Sequence, residues 1–264
     1  MDSVAAIVAC AQATLRDLGL EPGGAPGALP EARIRATIGL GLRETVEALR
    51  PGCDEELFAS IVERFRHHWF VTYRDLPLLF EGVAEMLADL EDRGYLLAVA
   101  TGKSRRGLDH ALEKTGVVGR FHATRTADEA FSKPHPQMLL DVCAAVGVEP
   151  REALMIGDTT YDLEMARNAG AAGLGVLSGS HSWEDLAACS PVACLASVVE
   201  LPAWLPEAAT GGGAASWAPA GAASGRRPST ARPAPRERRP DRPAEAARRP
   251  LPRRALSRHR PPPT

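Results

Sequence analysis

Short apolar runs alternate with helical patterns along much of the chain, and this alternation limits the possible folds more than any other feature. The clearest apolar runs have strand length and no polar alternation, as in strands buried on both faces; they span residues 95–101, 153–158 and 172–177. Weaker strand patterns lie at 121–127 and near 193–198, and helical patterns span 104–114, 134–147, 161–170 and 183–188. Elements in this order form a parallel sheet with helices on both faces. We therefore predict an α/β fold with a Rossmann-like parallel sheet.

The amino-terminal part of the chain has a different character. Helical patterns span residues 4–20, 31–50 and 54–74, and a loop rich in proline and glycine lies at 22–30. We predict a small all-helical domain over residues 10–75. Residues 1–9 and 76–204 would then form the α/β core, and residues 205–264 a separate tail.

The tail differs from the rest of the chain in composition and charge. From residue 206 on it contains thirteen arginines and four acidic residues, a net charge of +9, whereas the preceding residues carry −11. Its few apolar residues predict disorder. Two further interpretations stay open: a reading-frame artefact in a GC-rich gene, and binding to nucleic acid or another acidic surface. Trp217 is its only aromatic residue, which argues against specific nucleic-acid recognition.

Several classes of protein are disfavoured by composition. Five cysteines are scattered without a C-x-x-C pair or zinc-ligand spacing, which is typical of a reducing compartment. No apolar run approaches the roughly 20 residues of a transmembrane helix. The first residues lack the basic segment of a signal peptide. We expect a cytoplasmic protein with no membrane partner, in which the basic tail is the one candidate for contact with nucleic acid.

Polar residues follow the predicted strands at the edge where parallel sheets bind ligands. Thr101 and Gly102 end one apolar run, Asp158 ends another, and Lys133 and Asp162 lie in nearby loop and helix segments. Two carboxylates at one site repel each other unless a cation such as Mg²⁺ lies between them. A threonine hydroxyl with a backbone N–H can hold phosphate oxygens, and a lysine can neutralise a phosphoryl group. The pattern predicts a Mg²⁺-dependent phosphoryl-transfer site.

Each of these residues also has a structural interpretation when taken alone. Asp162 fits the third helical position of a capping box whose first residue is Thr159. Thr101 can simply end a strand, and Lys133 can be a solvated surface charge. Asp158 is harder to explain in this way, because a carboxylate at the end of a buried strand needs a partner. The order of all these residues in one α/β pattern favours a shared site.

Three segments in this order resemble motifs of a known family. LLAVATGKS (96–104), SKPHP (132–136) and MIGDTTYDLEMARNAG (155–170) resemble motifs II, III and IV of the haloacid dehalogenase superfamily, with the phosphoglycolate phosphatase group most similar. The resemblance covers about residues 2–202. It implies Mg²⁺-dependent hydrolysis of a small phosphomonoester, with 2-phosphoglycolate as the leading substrate. It also implies that the helical domain is a cap that closes over the site and selects the substrate.

The resemblance assigns a role to each candidate residue. Thr101 and Gly102 would hold the phosphoryl group, and Lys133 would stabilise its charge. Asp158 would be a Mg²⁺ ligand, and Asp162 a second acid that supports the ion directly or through water.

The same family uses an aspartate nucleophile on an apolar strand that ends in DxDGT. No D-x-D occurs in this sequence, and Asp2-Ser3 matches the pair that follows that motif in the group. We therefore expect the sequence to begin after the catalytic loop, through truncation or a misassigned start. The absent strand would be the central one, which leaves a gap between the strands that carry Thr101 and Asp158.

Other functions remain open. A non-catalytic relative that binds phosphate or a partner would also lack the nucleophile. A pyrophosphatase or nucleotidase would share the fold and the motifs. A receiver-type signalling domain is disfavoured, because its acidic cluster precedes its lysine, whereas here the acids follow Lys133.

Overall fold

A computed structural model of the chain describes residues 3–20, 30–72 and 79–205. The prediction for the tail beyond Leu205, and most of the predicted loop at 22–30, lie outside the described residues. Among the helices that are described, none has the length and apolar character needed to cross a membrane.

The described residues form helices and strands in the alternating order that the sequence predicts. The helices are α1 (Val4–Asp17), α2 (Glu31–Arg35), α3 (Leu42–Leu49), α4 (Glu55–His67), α5 (Val83–Asp92), α6 (Arg105–Thr115), α7 (Gln137–Val146), α8 (Thr160–Ala169), α9 (Trp183–Ala188) and α10 (Leu201–Trp204). The strands are β1 (Ala98–Thr101), β2 (Ala123–Thr126), β3 (Leu154–Gly157), β4 (Ala172–Val176) and β5 (Ala193–Leu195). A π-helical turn, His68–Thr72, follows α4.

Helix boundaries in the α/β part follow local capping chemistry. The Ser104 hydroxyl accepts the Gly107 N–H at 3.2 Å and begins α6. Gly116 ends the same helix at φ +70°, a conformation that other residues adopt at a cost. Thr159 and Asp162 form the predicted capping box at the start of α8.

One predicted helix is wrong. The pattern at 31–50 forms two helices, α2 and α3, because the chain turns between them. The Thr37 hydroxyl donates to the Ile34 carbonyl at 2.8 Å, a local bond that competes with helix continuation. Gly39 then adopts φ +109°, which a helix does not accommodate. The turn carries the backbone toward the ends of β1 and β3.

The strands form two parallel sheets within the described residues. β1 pairs with β2, and β3, β4 and β5 pair in that order. β1, which ends at Thr101, and β3, which precedes Asp158, do not pair with each other. The expected gap between these two strands is therefore present among the described residues. The α/β class with parallel sheets is confirmed.

In the described part of the chain, helices pack on the sheets and on one another through three separate apolar clusters. One cluster joins α5 and α10 to β4, and Leu90, Leu174 and Leu201 are its least exposed members. A second joins α7 and α8 through Met138 and Met165, each 0% exposed. A third cluster, Val8, Leu15 and Ile34, holds α1 against α2. The predicted boundary at residue 10 falls inside α1, and the division into core and cap stays a prediction.

Replacing Leu174 with alanine should lower the free energy of unfolding by about 2–5 kcal/mol. Leu174 is 0% exposed in β4, so truncation removes buried contacts and leaves a cavity. The matched control is Leu96→Ala, because Leu96 is 50% exposed. Urea unfolding followed by circular dichroism measures both; equal losses would contradict the assigned core.

Candidate active site

One cavity of about 660 Å³ opens between the carboxyl ends of β1 and β3 and is covered by residues of the helical amino-terminal part. All five residues predicted from the sequence line it: Thr101, Gly102, Lys133, Asp158 and Asp162. The two sheet edges also face this cavity, because the last residues of β1 and of β3 line it. The structure therefore brings the predicted residues together at the edge expected for a ligand site.

A buried ion pair joins Lys133 to Asp162. The Lys133 ammonium lies 2.6 Å from Asp162 Oδ1, and the two side chains are 6% and 5% exposed. The second carboxylate oxygen, Oδ2, accepts the Thr159 hydroxyl at 2.8 Å and the Thr159 N–H at 3.3 Å. Asp162 thus completes the capping box of α8 and also neutralises a buried lysine. The solvated interpretation of Lys133 is wrong.

Asp158 is held by the loop that follows β4. Its Oδ2 accepts the Ser180 N–H at 2.9 Å, and its backbone carbonyl accepts the His181 N–H at 3.1 Å. Gly179 allows this approach, since a Cβ there would lie 1.9 Å from Asp158 Oδ2. No lysine or arginine in the described part of the chain forms an ion pair with Asp158. Of the two predicted acids, Asp158 is the one without a cationic partner among the described residues, since Asp162 pairs with Lys133.

The loop after β1 forms the opposite side of the site. The Thr101 hydroxyl accepts the Lys103 N–H at 3.2 Å, which curls the loop back on the strand end. The Gly39–Leu40 backbone packs directly on this loop, because a Cβ at Gly102 would lie 2.4 Å from the Leu40 carbonyl oxygen. Glycine is therefore required at position 102 by close packing of two backbones.

Lys103 also lines the cavity, although it is not one of the five residues predicted from the sequence. Its Nζ lies 4.7 Å from the centre of the Trp69 ring, and no carboxylate among the described residues pairs with it. Burial lowers the pKa of Lys103 to about 8. Its position directly after Thr101 and Gly102 is a sequence signal that it lies near the site, whereas nothing in the sequence indicates its contact with Trp69.

The donor set fits a magnesium ion only in part. Mg²⁺ takes one or two carboxylates and completes its shell with water and substrate phosphate. Asp158 can supply one such ligand, whereas both oxygens of Asp162 are engaged by Lys133 and Thr159. The described residues contain no cluster of three acidic, histidine or cysteine side chains suited to a metal. The assigned roles of these residues stay predictions.

Asp162→Asn should lower the free energy of unfolding by about 3–5 kcal/mol, because it leaves Lys133 charged and buried without a counter-ion. The matched control is Asp89→Asn, which breaks the partly exposed pair of Asp89 with Arg93 at 2.8 Å and should cost less than about 1 kcal/mol. Chemical denaturation measures both variants. Similar losses of unfolding free energy in the two variants would show that the buried pair contributes no more to stability than the partly exposed one.

The chain is similar in sequence to several proteins that are named as phosphatases. A protein named "Probable phosphatase IndB" from Dickeya dadantii is 36% identical over 200 residues, which are 72% of this chain and 82% of the relative. A phosphoglycolate phosphatase from Nitrosococcus oceani is 27% identical over 79% of this chain and 93% of its own length. Further relatives are named N-acetylmuramic acid 6-phosphate phosphatase, from Pseudomonas putida, and pyrophosphatase PpaX, from Bacillus velezensis.

The fold also matches solved structures. A hydrolase from Pseudomonas syringae superimposes with a TM-score of 0.68 over 76% of this chain and 90% of that one, at 22% identity. The family described as haloacid dehalogenase-like hydrolase matches residues 1–176. The chain belongs to the haloacid dehalogenase-like hydrolase family.

Proposed function

We propose that the protein is a Mg²⁺-dependent phosphatase that hydrolyses a small phosphomonoester, with 2-phosphoglycolate as the leading candidate. The observation that carries the proposal is the convergence of Thr101, Lys133 and Asp158 on one cavity at the carboxyl ends of parallel strands. The relatives named as phosphatases support the reaction class.

Each residue of the site has a separate role in this proposal. The Thr101 hydroxyl and the Gly102 backbone bind phosphoryl oxygens. Lys133 stabilises their negative charge from a position fixed by Asp162. Asp158 ligates the metal, and Asp162 supports the site through Lys133 rather than by direct ligation. When bound, Mg²⁺ would offset charge on the phosphoryl group and fix its orientation.

The nucleophile is the part that these residues do not supply. The sequence has no D-x-D, and β1 and β3 face the same cavity without pairing. We propose that a further strand, carrying an aspartate, belongs between them in the active enzyme. The absence of D-x-D equally favours the second candidate, a non-catalytic relative that binds phosphate or a partner.

Two measurements separate these candidates. The first is the intact mass of the native protein, which shows whether residues precede Met1. The second is phosphate release from 2-phosphoglycolate with Mg²⁺, and again with a chelator, for the native protein. Chelator-sensitive turnover is expected, and Lys133→Met should lower kcat by about 10²–10³-fold. A native mass of 28.1 kDa with no turnover on any phosphomonoester would favour the non-catalytic relative.

The substrate is expected to carry a second anionic group. Phosphoglycolate and N-acetylmuramic acid 6-phosphate both contain a carboxylate besides the phosphoryl group, and pyrophosphate contains a second phosphate. Lys103 lines the cavity with no acidic partner in the described chain, so its ammonium is available to such a group. A substrate profile would distinguish pyrophosphatase or nucleotidase activity from hydrolysis of 2-phosphoglycolate.

Lys103→Met should raise KM for 2-phosphoglycolate by about tenfold or more. It should change KM for ethyl phosphate, which lacks a second anion, by less than about twofold. Because the ammonium is lost as pH rises through about 8, KM for 2-phosphoglycolate should rise above that pH in the natural protein but not in the variant. Steady-state kinetics test this; an equal effect on both substrates would contradict it.

A further inference from the structure

The loop after β4 contacts Asp158 through three consecutive residues. Gly179 lies against its carboxylate, the Ser180 N–H donates to Oδ2 at 2.9 Å, and the His181 N–H donates to its backbone carbonyl at 3.1 Å. Sequence reasoning gave no role to this loop. Its side chains are not among those that line the cavity, so its influence on the site passes through Asp158.

The His181 ring is tied to the same turn from its other side. Its Nδ1 lies 3.1 Å from the Thr160 backbone nitrogen, at the start of α8. A backbone N–H can only donate, so Nδ1 accepts and carries no proton, and the proton of the neutral ring is on Nε2. The contact therefore fixes the tautomer.

The ring has little else to orient it. Nε2 is buried without a hydrogen-bond partner among the described residues, and the ring meets Tyr161 edge-on with centres 5.7 Å apart. The hydrogen bond from the Thr160 N–H to Nδ1 is thus the polar contact that fixes the orientation of the ring. Through its backbone and its ring, His181 binds both ends of the turn from Asp158 to Thr160.

We propose that His181 is a positioning residue for Asp158, acting as the Nε2–H tautomer that holds the Asp158–Thr160 turn. The proposal rests on the proposed function, in which Asp158 ligates the metal. Without the Nδ1 acceptor the Thr160 N–H is unpaired, and the turn loses one of its three hydrogen bonds to the loop. The Asp158 carboxylate then samples more orientations, and the affinity of the site for a metal ion falls.

Three variants at this position separate the ring's roles. In His181→Asn, the amide oxygen can accept at the place of Nδ1; in His181→Gln it reaches the place of Nε2 instead; His181→Ala has neither. Thr160 amide exchange and the Asp158 carboxyl ¹³C shift, both read by NMR without metal, report the turn. Mn²⁺ binding, read by electron paramagnetic resonance, reports the metal site.

We expect the alanine and glutamine variants to speed Thr160 exchange and weaken Mn²⁺ binding by about tenfold each, and to shift the Asp158 carboxyl signal. The asparagine variant should stay within about twofold of the natural protein. The control His122→Ala removes the same kind of bond, from Leu97 N–H to His122 Nδ1 at 3.2 Å, at the amino-terminal end of β1. It should change neither readout.

The outcomes distinguish this inference from the proposed function. If His181→Ala leaves Thr160 exchange and the Asp158 signal unchanged, or if asparagine is as damaging as alanine, the positioning role is wrong. If the natural protein and Asp158→Asn bind Mn²⁺ equally, the metal role of Asp158 is wrong, while the two metal-free readouts still decide the role of His181.

Discussion

The buried ion pair between Lys133 and Asp162 is the interaction on which the rest of the site depends. A lysine that is 6% exposed needs a counter-ion, and a buried carboxylate needs donors for both oxygens. Asp162 meets both needs: one oxygen accepts from Lys133, and the other accepts from Thr159 in the capping box of α8. The loop that carries Lys133 is thereby fixed to the start of α8, beside Asp158.

The unpaired edges of β1 and β3 lie beside the ion pair, at the same cavity. β1 and β3 end at the same cavity, and their backbones do not pair within the described chain. Unpaired backbone groups and apolar walls are costly to leave without partners. The Gly39–Leu40 backbone covers part of this region by packing on Gly102 and beside Thr159. The helical amino-terminal part therefore contributes backbone, as well as side chains, to the site.

Three loops hold the candidate catalytic groups in different ways. The loop after β1 is curled by the Thr101 hydroxyl, the segment with Lys133 is fixed by charge, and Asp158 is held by backbone donors from the loop after β4. Each depends on a different element of the fold. The positions of these side chains are therefore fixed by contacts between distant elements, although each short motif supplies only one part of the site.

The sequence by itself determined the alternation of strands and helices in the α/β part, because capping, glycine stops and apolar runs are local signals. The family and the five candidate residues followed from the order of three short motifs along the chain. The sequence also offered two separate interpretations of Asp162, as a cap and as a member of the site. Only the tertiary structure showed that Asp162 completes the capping box and also lines the cavity, paired with Lys133 29 positions away in the chain. The same limit hid Trp69 beside Lys103 and His181 beside Thr160, contacts that depend on how distant elements pack.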